Sequence, residues 1–123
     1  AALKLKETAG LHAEAVSSAE IMHGPKALLE PTTPLLLFAG RDLDRDAQAE
    51  AAAALAALAP ELWVAGALDL GHGRRLEAPA AGDPALQPLV DITAFYGLAE
   101  ALARTRGRDP DRPPHLAKIT RTR

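Results

Sequence analysis

Six apolar residues in a row, Pro34-Leu35-Leu36-Leu37-Phe38-Ala39, stand between Thr32-Thr33 and Gly40 with no charge among them. A run that short and that uniform has no polar face to offer water. It reads as a strand covered on both sides, the habit of parallel sheets. A second run of the same kind, Leu62-Trp63-Val64-Ala65-Gly66, follows it. Between the two lies the alanine-rich stretch Arg45–Ala59, which Asp42 or Asp44 is placed to cap and Pro60 to end. Parallel strands need a crossover, and a helix there supplies one. Arg75–Ala78 offers a third, less apolar strand. Asp83-Pro84 and Pro88 signal the start of a long helix reaching about Arg104, with Gly107 as the residue just past its end. The order of elements predicts an α/β fold, a doubly wound parallel sheet flanked by helices.

The chain opens differently. Residues 1–16 are strong helix formers, and on one continuous helix Glu7 and Glu14, seven apart, share a face. Ser17 and Glu20 have capping-box spacing, so a short second helix is expected to start near Ser18 and stop at His23-Gly24. Pro25 then suits the first turn of another, Pro25–Leu29. Ala1 to Glu7 reads as helix interior with no cap ahead of it, so the chain is expected to be a segment of a longer polypeptide whose preceding strand is missing. Beyond Gly107, the prolines at 110, 113 and 114 forbid a helix, and residues 108–123 read as an extended arm attached to a domain over residues 1–107.

Composition removes several classes of function. The 123 residues suit one domain, and 48% are hydrophobic while only 3% are aromatic, so the core is built from Leu, Ala, Val and Ile. A net charge of -2 argues against a general nucleic-acid surface. The absence of cysteine excludes disulfides, thiolate metal sites and a cysteine nucleophile, and fits a reducing cytoplasm. No apolar run approaches the roughly 20 residues of a membrane helix. No His pair has the i, i+4 spacing of a helical zinc site, so no metal is expected; an organic cofactor is not expected either. Gly71-His72-Gly73 is too short for a phosphate cradle, and His12 and His72 read as packing or surface residues.

Three side chains with acid, base or amine chemistry stand out: Glu7, His23 and Lys118. Each also has an ordinary explanation. A glutamate beside lysines on a helix fits a solvated ion-pairing face. A histidine before Gly-Pro fits a turn, and a lysine in a basic tail fits exposed surface.

Their surroundings narrow the choice. Ala2-Leu3-Lys4-Leu5-Lys6-Glu7, then His12-Ala13-Glu14-Ala15, then Glu20-Ile21-Met22-His23-Gly24-Pro25 resembles the signature of the last sugar isomerase (SIS) domain of the glucosamine-6-phosphate synthase family. The tail Asp109-Pro110-Asp111-Arg112-Pro113-Pro114-His115-Leu116-Ala117-Lys118 is similar to that family's C-terminal arm, where Arg-Asn precedes Leu-Ala-Lys; here Pro114-His115 takes that place. The arm and the ending Ile119-Thr120-Arg121-Thr122-Arg123 look more like a sister group without a glutaminase domain, some of whose members are glucosamine-6-phosphate deaminases. The likeness is tight at both ends of the chain and loose between residues 40 and 90.

The resemblance implies a flavodoxin-like three-layer sandwich, incomplete at its N-terminus, and interconversion of fructose 6-phosphate and glucosamine 6-phosphate, by amination or by deamination at C2. Moving a proton between C1 and C2 needs a base beside both carbons, an acid/base for ring opening and positive charge near the enediolate oxygen. By resemblance Glu7 is the proton shuttle, and His23 opens the ring from the neighbouring subunit of a homodimer. Lys118 forms a Schiff base with the ketose, Lys4 stands beside the reacting carbons, and the Ala117 backbone contacts substrate. The family's Ser/Thr-rich phosphate loop belongs to an upstream SIS domain of the same protein, so this segment alone is expected to be inactive. A non-catalytic module that binds a phosphosugar for regulation is the alternative.

Overall fold

The computed structural model of the chain describes all residues except 41–44, 67 and 117–123. In chain order the elements are a helix α1 (Ala2–Lys4) running into a π-helical turn (Leu5–Ala9), α2 (Ser18–His23), a 3-10 turn (Pro25–Leu28), β1 (Leu35–Phe38), α3 (Arg45–Leu58), β2 (Leu62–Gly66), β3 (Arg74–Glu77), a second 3-10 turn (Pro84–Leu86) and α4 (Gln87–Thr105). The chain divides into two compact units, one of Val16–Phe95 and one of Ala1–Ala15 with Tyr96–Arg123.

The Val16–Phe95 unit holds the sheet, whose order is β1-β2-β3 with both pairings parallel. The architecture is α/β, a parallel sheet flanked by helices, and forms part of a flavodoxin-like fold. Register puts Leu35 and Leu37 beside Leu62 and Val64 on one face, where they pack with Ala52 and Leu55 of α3 and Ile21 of α2. The buried residues of α3 recur at helical spacing as Ala52, Leu55 and, just past its end, Ala59; alanine there lets the helix approach the strands closely. The opposite face carries Phe38, which meets the fully buried Phe95 of α4 edge-on, with ring centroids 5.9 Å apart. Trp63 is covered from β3 by the Arg74 guanidinium, 4.4 Å from its ring centroid.

Two expectations need correction here. The strand expected to be buried on both sides, β1, is only half-buried, and Phe38 is exposed. The reason is its place: among the described residues β1 has a partner strand along one edge only, while the central β2 is buried at four of its five positions. The single helix expected over residues 1–16 ends at Ala9, because Gly10 turns the backbone into the left-handed region (φ 61°). Glu14 therefore lies outside any helix and shares no helical face with Glu7.

Other expectations hold. Ser17 caps α2 by accepting the Glu20 N–H at 3.0 Å. α4 stops as its sequence requires: with Gly107 at φ 69°, the Gly107 N–H bonds to the Arg104 carbonyl and the Arg108 N–H to the Ala103 carbonyl, both at 2.9 Å. That pair of bonds is a Schellman motif. Gln87, at the start of α4, is fully buried; its amide donates to the Pro79 carbonyl and the Asp91 carboxylate and accepts from the Ala81 N–H. No helix among the described residues is long and apolar enough to cross a membrane.

Candidate active site

Glu7 sits in the π-helical turn, in the unit formed by Ala1–Ala15 and Tyr96–Arg123. The turn closes through the Leu5 carbonyl, which accepts from the Gly10 N–H and from the Leu11 N–H at 3.0 Å. A five-residue repeat in place of four widens the coil, and such turns recur at functional sites. Thr8, buried, returns its hydroxyl to the Lys4 carbonyl at 2.8 Å. The end of the turn is held from the far end of α4: the Arg106 Nε donates to the Ala9 carbonyl at 2.8 Å, one of the acceptors that a helix terminus leaves open.

Residues 108–116 of the arm run in successive turns. The Asp109 carboxylate accepts from the Asp111 N–H at 3.0 Å and the Asp109 carbonyl from the Arg112 N–H at 3.2 Å. The Leu116 N–H then reaches the Pro113 carbonyl at 3.4 Å across Pro114 and His115. His115 has φ 64°, the one positive value on a non-glycine residue among those described.

These pieces enclose an open concavity of about 420 Å³ lined by Lys6, Glu7, Arg108, Pro114, His115 and Leu116. That volume lies within the roughly 300–1,000 Å³ typical of small-molecule sites. Glu7 is half-buried at its wall and, among the described residues, is the only carboxylate in that lining, beside Lys6, Arg108 and the His115 imidazole. Among the described residues no ion pair joins Glu7 to any of them. Its described residues thus offer a carboxylate, an imidazole and two cationic side chains to whatever enters.

Lys4 lines a second concavity of about 390 Å³, with Thr8, Tyr96, Ala99, Glu100, Pro110 and Asp111. His23 ends α2, exposed, in the Val16–Phe95 unit. Ala117 and Lys118 lie outside the described residues; Leu116, which precedes them, is in the Glu7 lining. Sequence reasoning did not single out Arg106, Arg108 or Lys6. The only advance signal for Arg108 was its position directly after Gly107, where a Schellman motif fixes the backbone. Nothing in the sequence marked Arg106 as a cap for a helix 97 residues away. His115 was marked, as the point where the arm departs from the motif it resembles. His12 and His72 are exposed. Among the described residues no three His, Asp or Glu side chains gather as a metal would require.

One unit is thus a parallel α/β sheet, and the other sets a glutamate on a π-helical turn beside a turning arm. No protein-family model matches the chain. Among curated proteins it is 38% identical, over 95% of its length, to glutamine–fructose-6-phosphate aminotransferase [isomerizing] from Thermococcus kodakarensis. It is 34% identical over 98% to aminotransferase 1 of that name from Arabidopsis thaliana, and 35% identical over 96% to the one from Aeropyrum pernix. The chain spans about one-fifth of these relatives, 20%, 19% and 20% of their lengths in that order. It is homologous to a domain-sized segment of the glutamine–fructose-6-phosphate aminotransferases.

Proposed function

We propose that this chain is the phosphosugar-converting module of an enzyme that interconverts fructose 6-phosphate and glucosamine 6-phosphate. The observation that carries the reading is the Glu7 concavity: a half-buried carboxylate on a fixed helical turn, facing Lys6, Arg108 and His115, in a chain whose relatives bear an aminotransferase name. A carboxylate so held suits proton transfer between adjacent sugar carbons, and the surrounding cations suit the negative charge that builds on the enediolate oxygen.

The finer assignments belong to the same proposal. Glu7 shuttles the proton between C1 and C2, His23 opens the ring from a neighbouring subunit of a homodimer, Lys118 forms a Schiff base with the ketose, and Lys4 and the Ala117 backbone contact the sugar. Residues 1–107 form the module and 108–123 its arm. An SIS domain elsewhere in the same cytoplasmic protein grips the phosphate. The relatives' name, aminotransferase, supports amination over release of ammonia.

Glu7→Gln in the intact protein tests the reading. The amide keeps the size of the side chain and cannot accept the proton, so turnover is expected to vanish while phosphosugar binding persists. Full turnover by that variant would remove the catalytic reading, and unchanged binding with no turnover even in the wild type would leave a regulatory phosphosugar module.

A further inference from the structure

We propose that the His115 imidazole is an acid/base group of the Glu7 concavity, serving the substituent that enters or leaves C2 of the phosphosugar. The inference rests on the phosphosugar reading above. Three observations carry it. His115 lines the same concavity as Glu7. Its backbone is in the left-handed region, in a turn closed from the Leu116 N–H to the Pro113 carbonyl, with Pro114 at the second position. That is the pattern of a type II turn, whose third position favours glycine or asparagine. The chain places an imidazole where the backbone favours a residue that does no proton chemistry. The charged groups beside it in the lining are Glu7, Lys6 and Arg108, and His115 is the described side chain there whose two ring nitrogens can both give and take a proton.

The step balances. At a C2 carbinolamine the imidazolium gives its proton to the hydroxyl oxygen, the C2–O bond breaks and water departs. The nitrogen lone pair closes the C2–N double bond, and the nitrogen returns a proton to the neutral imidazole. In the opposite direction the imidazolium protonates the amine, the C2–N bond breaks, ammonia departs, and the remaining hydroxyl gives its proton back as the carbonyl forms.

His115→Asn in the intact protein preserves the turn and removes the acid. Turnover of fructose 6-phosphate with ammonium is expected to fall by about 100-fold, with KM for the phosphosugar close to wild type. Deuterium exchange from solvent into C1 of fructose 6-phosphate without ammonium, read as enolisation of the open-chain ketone by Glu7 before any nitrogen is bound at C2, is expected to persist in His115→Asn and to be lost in Glu7→Gln. His115→Gly, also at ease with positive φ, is expected to regain turnover when imidazole is added. Wild-type turnover in His115→Asn, or loss of turnover in His115→Gly that imidazole does not restore, overturns the inference and leaves the Glu7 reading standing. Exchange that survives Glu7→Gln overturns the phosphosugar reading instead.

Discussion

Replacing Gly10 by alanine tests the geometry that seats Glu7. Gly10 ends the π-helical turn at φ 61°, and a Cβ built there would collide with the Arg108 guanidinium. The two penalties differ in size. A left-handed backbone costs a residue with a Cβ roughly 1–2 kcal/mol relative to glycine. The collision costs less, because a guanidinium at the end of four rotatable bonds can swing aside; about 0.5 kcal/mol of lost rotamer freedom is a fair scale. Gly10→Ala is therefore expected to destabilise by about 1–2 kcal/mol, a drop of about 0.5–1 M in the urea midpoint at a typical slope near 2 kcal/mol/M. Far-UV circular dichroism is the suitable signal, since Trp63 lies in the Val16–Phe95 unit and Gly10 does not. Gly10→Asn separates the two terms: asparagine tolerates positive φ but carries the same Cβ, so it is expected to recover about half of the loss. In an Arg108→Ala background the Gly10→Ala penalty is expected to change by no more than about 0.5 kcal/mol, within the additivity of sites that barely couple. If Asn and Ala cost the same and both penalties disappear without Arg108, the backbone argument is wrong and the collision dominates.

Two further expectations concern the Val16–Phe95 unit. Phe95→Ala is expected to cost about 3–5 kcal/mol because its ring is wholly buried, whereas Phe38→Ala costs less because its side of the contact is exposed; urea unfolding in which Phe38→Ala is the more damaging would contradict the packing described. Gln87→Leu removes one acceptor and two donations at a fully buried position and leaves the buried Asp91 carboxylate without that donor. Its expected cost is about 2–4 kcal/mol, together with faster proteolysis between Pro79 and Ala81; an unchanged cleavage rate would show that this amide does not pin the loop.

Much of the sheet unit was legible because its signals are local. Pro60 ends α3, Ser17 caps α2 and Gly107 closes α4, each by chemistry that acts within one helical turn. β3 was located to within a residue although Arg74 and Arg75 are exposed. What failed was longer in range. The half-exposure of β1 depends on which strands stand beside it, and an apolar run carries no information about that. Gly10 was read as one residue of a helix, where glycine costs only about 1 kcal/mol, whereas it is the stop. The π-turn had no sequence signal: strong helix formers specify a coil without specifying four or five residues per hydrogen bond. Of the concavity's lining, Glu7 was singled out through a resemblance of motifs, while Arg108, and Arg106 behind it, became visible only when the end of α4 was seen to reach the end of the first helix.

The position of the Glu7 carboxylate is set by helix ends. The π-turn is stopped by Gly10, its open Ala9 carbonyl is held by Arg106, and Arg106 is carried by the last turn of α4, whose stop at Gly107 in turn aims Arg108 at the space over Gly10. Each link is a backbone group that a helix terminus must satisfy somehow, here by the neighbouring terminus. The alanines of α3 and the strands contribute to the stability of their own unit and to none of these links. Substitutions that preserve volume there should leave the concavity as it is, whereas a change at Gly10, Arg106 or Gly107 shifts Glu7 against His115 without touching either. In a reaction where a proton moves between adjacent carbons, a displacement of an ångström is enough to lose most of the rate.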